Sequence, residues 1–115
     1  VSHAGFARTP QPTYYAVIFT SQRHGDDAGY GTMAERMAAL AARQSGFLGL
    51  ESARDASGLG ITVSYWESEA AITDWKRNVE HGEAHRRGRE SGYAHFELRV
   101  TRVERAYAAR PKSAP

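Results

Sequence analysis

A chain of 115 residues has room for one hydrophobic core, since division would leave pieces too small to bury enough surface. Hydrophobic residues at 41% and charged residues at 24% exclude a disordered chain, and the absence of cysteine excludes disulfides, thiolate zinc sites, iron–sulfur clusters and cysteine nucleophiles. The net charge of +2 hides an uneven distribution, with ten Lys/Arg against five acids from Lys76 onward, but Glu83, Glu90, Glu97 and Glu104 interrupt the basic run and argue against a phosphate-tracking stripe.

The opening Val1 to Pro12 lacks apolar periodicity and reads, to residue 13, as an N-terminal tail. A first strand follows at Tyr14 to Ser21, with Tyr15, Val17 and Phe19 on one face and Ala16 and Ile18 on the other; both faces are apolar, so both call for cover. Gln22 to Gly31 has loop composition. Thr32 then caps a helix running to about Gln44, with Met33, Met37, Leu40 and Gln44 on one stripe and Gly46 just past its end.

A second strand reads Phe47 to Ala53 and a third Ile61 to Trp66, joined at Asp55 to Gly58 by a turn short enough for a hairpin. Ser68 is the predicted N-cap of a second helix, in which Ile72, Trp75 and Val79 form the buried stripe. The last strand, from about Tyr93 to Tyr107, sets Phe96, Leu98 and Val100 against His95, Glu97, Arg99, Thr101 and Val103, a charged row that needs partners. Residues 14–107 make one domain and 108–115 a C-terminal tail.

The order β-α-β-β-α-β closes as a four-stranded antiparallel sheet with both helices on one face, the ferredoxin-like α+β arrangement. The other face has no third layer, and a second copy is the economical cover, so a homodimer forming a dimeric α+β barrel is expected. No window approaches 18 consecutive apolar residues and no secretion signal is seen in the first residues, so the expectation is a cytoplasmic protein with neither membrane nor nucleic acid among its partners.

The run Gly46-Phe47-Leu48-Gly49-Leu50-Glu51, followed by Trp66, Trp75 and Ala84-His85, resembles the antibiotic-biosynthesis-monooxygenase superfamily of dimeric α+β barrels, with spacing most similar to its haem-degrading branch. The resemblance spans Tyr14 to Tyr107. It implies that Trp66 matches a tryptophan that distorts the haem macrocycle and His85 an axial iron ligand. The branch's third functional residue, an asparagine on the first strand, is replaced here by Ser21, with Gln22 beside it. Other members oxidise quinols or phenolic polyketides with dioxygen and no cofactor. The preferred expectation is therefore a monooxygenase acting on a small aromatic, quinol-type or polycyclic ligand without a cofactor. The alternatives are haem binding with degradation, and a barrel that binds a small ligand without turnover.

In residue terms, Trp66 offers a broad apolar wall to a planar ligand, and His85 a neutral ring nitrogen. His95 is a candidate base for a phenol that must ionise before electron transfer to dioxygen. These three form the expected catalytic set, and Tyr15, Phe19, Ser21, Tyr65, His81 and Arg89 the expected substrate-binding set. Each has an ordinary alternative: His85 as a helix-end histidine, Trp66 as a core or interface residue, the tyrosines as strand packing. His81 and His85 stand four apart, but Gly82 intervenes, spacing fixes no third ligand, and the glutamate that follows the first histidine of a zinc-protease helix is missing, so no metal site is expected.

Overall fold

The computed structural model describes residues 5–23, 38–80 and 93–110. Its strands are β1 (Tyr14–Arg23), β2 (Phe47–Arg54), β3 (Leu59–Trp66) and β4 (Tyr93–Val103). Residues 38–42 are helical (α1), and α2 spans Glu69–Glu80. The strands form one sheet in the order β2-β3-β1-β4, antiparallel throughout, which is the ferredoxin-like α+β topology.

Strand ends follow the ladder rather than composition. Gln22 finds Leu59 on one side and His95 on the other, so β1 runs past Ser21 and β3 begins before Ile61. At the opposite end Tyr14 pairs with Val103, which leaves nothing for residues 104–107 to pair with, and β4 stops short of Tyr107. The expected first helix is helical over residues 38–42; its proposed start at Thr32 lies outside the described residues.

Chain reversals have identifiable chemical causes. Past α1, Arg43 and Gln44 donate to the carbonyls of Leu40 and Ala41 at 3.3 and 3.0 Å, tightening the last turn. Gly46 then adopts φ +89°, and a Cβ there would lie 2.7 Å from Ala71 Cβ, so this position needs glycine for both backbone and packing. The Glu67 amide donates to the Gly46 carbonyl at 2.8 Å, fastening the start of β2 to the entry of α2. Ser68 caps α2 as its position predicts, its Oγ accepting from the Ala71 amide at 3.1 Å. In the hairpin, one Asp55 carboxylate oxygen accepts from the Ser57 amide, the Ser57 hydroxyl and the Leu59 amide. These bonds, that from the Ser57 hydroxyl foremost, hold the Asp55 carboxyl below its usual range.

Pairing across β1 sorts the side chains into rows. On the helix side the rows run Phe47, Trp66, Tyr15, Arg102; then Leu50, Ser64, Val17, Val100; then Ser52, Thr62, Phe19, Leu98; and last Arg54, Gly60, Ser21, Phe96. The core sits over the first two rows, where Val17 and Trp66 meet Ala41 of α1 and Ala71 and Ile72 of α2, with Tyr15, Phe47 and Trp75 packed around them. The opposite side carries Tyr14, Ala16, Ile18, Val63, Tyr65 and Ile61, with His95, Glu97 and Arg99 of β4. There His95 and Arg99 both bond to Glu97, at 3.0 and 2.9 Å, so the charged row finds its partners along its own strand.

Residues 5–13, expected as a tail, lie against that second side: the Ala7 amide donates to Glu51 at 3.0 Å, and Thr9 bonds the Tyr14 hydroxyl. Tyr14 meets Tyr65 edge-on at 5.9 Å and is buried.

Replacing Gly46 by Ala combines left-handed backbone strain with a clash against α2 and should cost about 2–4 kcal/mol in urea unfolding. Ser68→Ala, which removes only a cap, should cost about 1 kcal/mol. Equal costs would contradict the close approach of Gly46 to α2.

Candidate functional site

Over β2, β3 and β1 the first two helix-side rows are closed by aromatic packing, while Val100 on β4 stays 47% exposed. Trp66 is fully buried; its ring lies 5.3 Å from Phe47, edge-on, and 5.3 Å from Trp75, tilted, and its Nε1 donates to Ser64 Oγ at 2.9 Å. Satisfying the indole N–H from within β3 lets the whole ring enter the core without an orphaned donor. Trp75 continues the Ile72 stripe; its Nε1 has no partner among the described residues.

The last two rows differ in chemistry. Phe19 and Phe96 stand 5.4 Å apart at a 40° tilt. Phe96 and Leu98 remain 57% and 42% exposed, leaving an accessible apolar strip along the β1/β4 side. Directly across the sheet in the Phe96 row lies a polar cluster. Arg54 extends from β2 over Gly60 and donates through Nη2 to Ser21 Oγ at 2.9 Å, through Nη1 to the Ser21 carbonyl at 3.4 Å, and to the Gly58 carbonyl. Only a residue without a side chain leaves room for this: a Cβ on Gly60 would lie 2.6 Å from Arg54 Nη2. Ser52 and Thr62 share a hydroxyl bond of 2.8 Å in the adjoining row. One end of the helix side thus combines an aromatic strip, which suits a planar ring, with hydroxyls and a guanidinium, which suit an oxygen on that ring.

The expected site residues separate by strand parity. Tyr15, Phe19, Ser21 and Trp66 share the helix side, Tyr15 and Trp66 at its closed end and Phe19 and Ser21 at the other. Enclosed by Phe47 and Trp75, Trp66 supports this side from within the core. Tyr65 and His95 occupy the opposite side. Tyr65 donates to Glu51 at 2.6 Å, and burial, followed by this carboxylate, raises its pKa well above the usual range, so it stays protonated and serves as a donor rather than a base. His95 is exposed and bonded to Glu97. His81, His85 and Arg89 lie outside the described residues. Arg54 and Gly60 were missed: counting outward from the Asp55–Gly58 turn sets Arg54 opposite Leu59, and only the observed register, one residue further on, brings it opposite Gly60. No cluster of three metal-ligating side chains occurs among the described residues. No helix among them is long and apolar enough to cross a membrane.

A ferredoxin-like sheet whose helix side is closed at one end and carries an aromatic and polar surface at the other defines the class of protein. The sequence model of the family described as antibiotic biosynthesis monooxygenase matches residues 13–87, and the chain belongs to that family. It is 52% identical over 99 residues to the uncharacterized protein YqjZ of Bacillus subtilis (strain 168), covering 86% of this chain and 87% of that protein. Among solved structures it resembles SnoaB, a cofactor-independent oxygenase from Streptomyces nogalater, with a TM-score of 0.67 at 17% identity over 88% of this chain and 97% of that one. A conserved protein from Methanosarcina mazei Go1 superposes with a TM-score of 0.69 at 10% identity, over 80% and 94% of the two chains. At these identities the structural likenesses establish the fold alone.

The enclosure of Trp66 predicts that Trp66→Ala destabilises by about 3–5 kcal/mol. Denaturant unfolding followed by far-UV circular dichroism checks this, and a loss below about 1 kcal/mol would remove Trp66 from the core.

Proposed function

We propose that the protein is a monooxygenase that oxidises a small aromatic or polycyclic phenol or quinol with dioxygen, without an organic cofactor. The observation that carries this reading is the Phe19, Phe96 and Leu98 strip beside the Ser21–Arg54 cluster on the helix side of the sheet. The ring lies on the strip, and its oxygen faces the polar end. Loss of the phenolic proton makes the substrate electron-rich enough to reduce dioxygen itself. For a substrate SH2 the balance is SH2 + O2 giving S=O + H2O: the substrate supplies two hydrogens and two further electrons, one oxygen atom stays on carbon and the other leaves as water. SnoaB, described as a cofactor-independent oxygenase, offers a precedent for such chemistry on this fold.

Haem fits the described residues poorly. Trp66, the residue that would press on the macrocycle, is enclosed by Phe47 and Trp75, and no described histidine faces the helix side. His85, in the catalytic set expected from the sequence, and His81 and Arg89, in the substrate-binding set, lie outside the described residues and enter this reading on the sequence alone.

The opposite side of the sheet is proposed to pair with that of a second copy. Leu59 and Ile61, at 44% and 46% exposure, extend an apolar strip that includes Ile18 and Val63. A stable interface of this kind buries about 2,000 Å² or more in total. Ile61→Asp should then give a folded monomer in sedimentation velocity, and a compact parent monomer at micromolar concentration would refute the pairing.

Oxygen uptake against a panel of hydroquinones and anthrones, alongside a haemin titration, tests the activity. Consumption of oxygen with one equivalent of oxidised product is expected, with kcat/KM falling about tenfold in Phe96→Ser as aromatic contact is lost. His85→Ala should lower turnover and leave the dimer intact. A tight stoichiometric haem complex that releases iron under a reductant would overturn the reading.

A further inference from the structure

Ser21 is a buried hydroxyl, 2% exposed, whose only side-chain bond among the described residues is the one it receives from Arg54. A guanidinium has donors and no acceptor, so in this contact the Ser21 oxygen must accept. Its own proton is left to donate, and no acceptor takes it among the described residues. A buried donor left unspent costs free energy unless something at the site accepts it. The adjacent positive charge also draws electron density from the hydroxyl oxygen, which strengthens it as a donor.

We infer that Arg54 is a positioning residue: reaching across Gly60, it fixes Ser21 as a hydrogen-bond donor, and the pair selects ligands whose ring oxygen is ionised. This deepens the phenol-oxidising reading and rests on it. The ligand class is a phenolate, with the ring on Phe19 and Phe96 and the oxygen at Ser21. Phe96 is the direct partner of Ser21 across β1 and β4, so a ring in contact with Phe96 lies one strand spacing from the hydroxyl. Among its bonds to described residues, Arg54 grips three acceptors: the Ser21 carbonyl and hydroxyl on β1 and the Gly58 carbonyl in the turn. Among the described side chains, the other charged strand residue on this side, Arg102, is three rows away beside Tyr15, and Glu51, Glu97, Arg99 and His95 belong to the opposite side. Among the described side chains, Arg54 is thus the charged strand residue that acts at Ser21. Gly60 is part of the device, because a methyl group there displaces the guanidinium while the flexible arginine yields with little disturbance of the sheet.

The test uses the full chain with 4-nitrophenol, whose ionisation is read from its visible absorbance, and 4-nitroanisole, which has the same ring and no ionisable hydroxyl. In the parent protein bound 4-nitrophenol should ionise at lower pH than in water, by about one unit, a tenfold preference for the phenolate. Arg54→Met, Ser21→Ala and Gly60→Ala should each return the bound probe toward its free pKa, while 4-nitroanisole affinity stays within twofold. Arg54→Lys, which keeps a donor but not the three-way grip, should fall between. Gly60→Ala protects the test against a poorly folded Arg54→Met, since it moves the guanidinium without deleting it. Variants that lower the melting temperature yet leave probe ionisation unchanged would reduce Arg54 to a structural residue and overturn the inference, although the aromatic site would stand. If neither probe binds the parent protein, the aromatic reading fails and takes the inference with it.

Discussion

Strand β1 is hydrogen-bonded on both sides along its length, to β3 and to β4, and the alternation of its side chains decides what every other element must do. With Tyr15, Val17, Phe19 and Ser21 committed to the helix side, their partners on β3 and β4 are committed as well, and the β2 row follows through β3. A slip of one residue would turn Ser21 away from Arg54 and expose Val17. Such a slip is opposed at both ends: by Trp66 packed between Phe47 and Trp75, and by the Arg54 bridge over Gly60.

The helix side is graded along β1. Near Tyr15 and Val17, the side chains of α1 and α2 fill the surface with apolar contacts, and even polar Ser64 is spent on the Trp66 indole. Toward Ser21 the small and polar residues Ser52, Thr62 and Gly60 replace bulky ones. Stability is concentrated where the helices press on the sheet, and the chemistry capable of recognising a ligand lies beyond them. Changes at one end therefore act mainly on folding and changes at the other mainly on binding, because the two groups share few partners.

Many functions occupy this topology, so fold membership narrows the chemistry without choosing a substrate. The feature of this chain that could choose one is local: a serine on β1 gripped by an arginine from β2, with an aromatic partner from β4 in the same row. With Gly60 of β3 beneath the arginine, such a row is assembled from four strands, and no contiguous motif records it.

The amino-acid sequence by itself determined the order of the elements, the Ser68 cap, the glycine at the end of α1 and the two-sided character of β1, because each follows from local geometry: periodicity, capping chemistry and permitted backbone angles. It also separated His95 from Phe96 on β4, since neighbouring residues of a strand point to opposite faces. Tertiary structure alone decided that Tyr65 lies across the sheet from Tyr15, that residues 5–13 pack beside Glu51, and that Arg54 meets Ser21. These depend on register between strands distant in sequence, and register is fixed only when a whole sheet face is buried together.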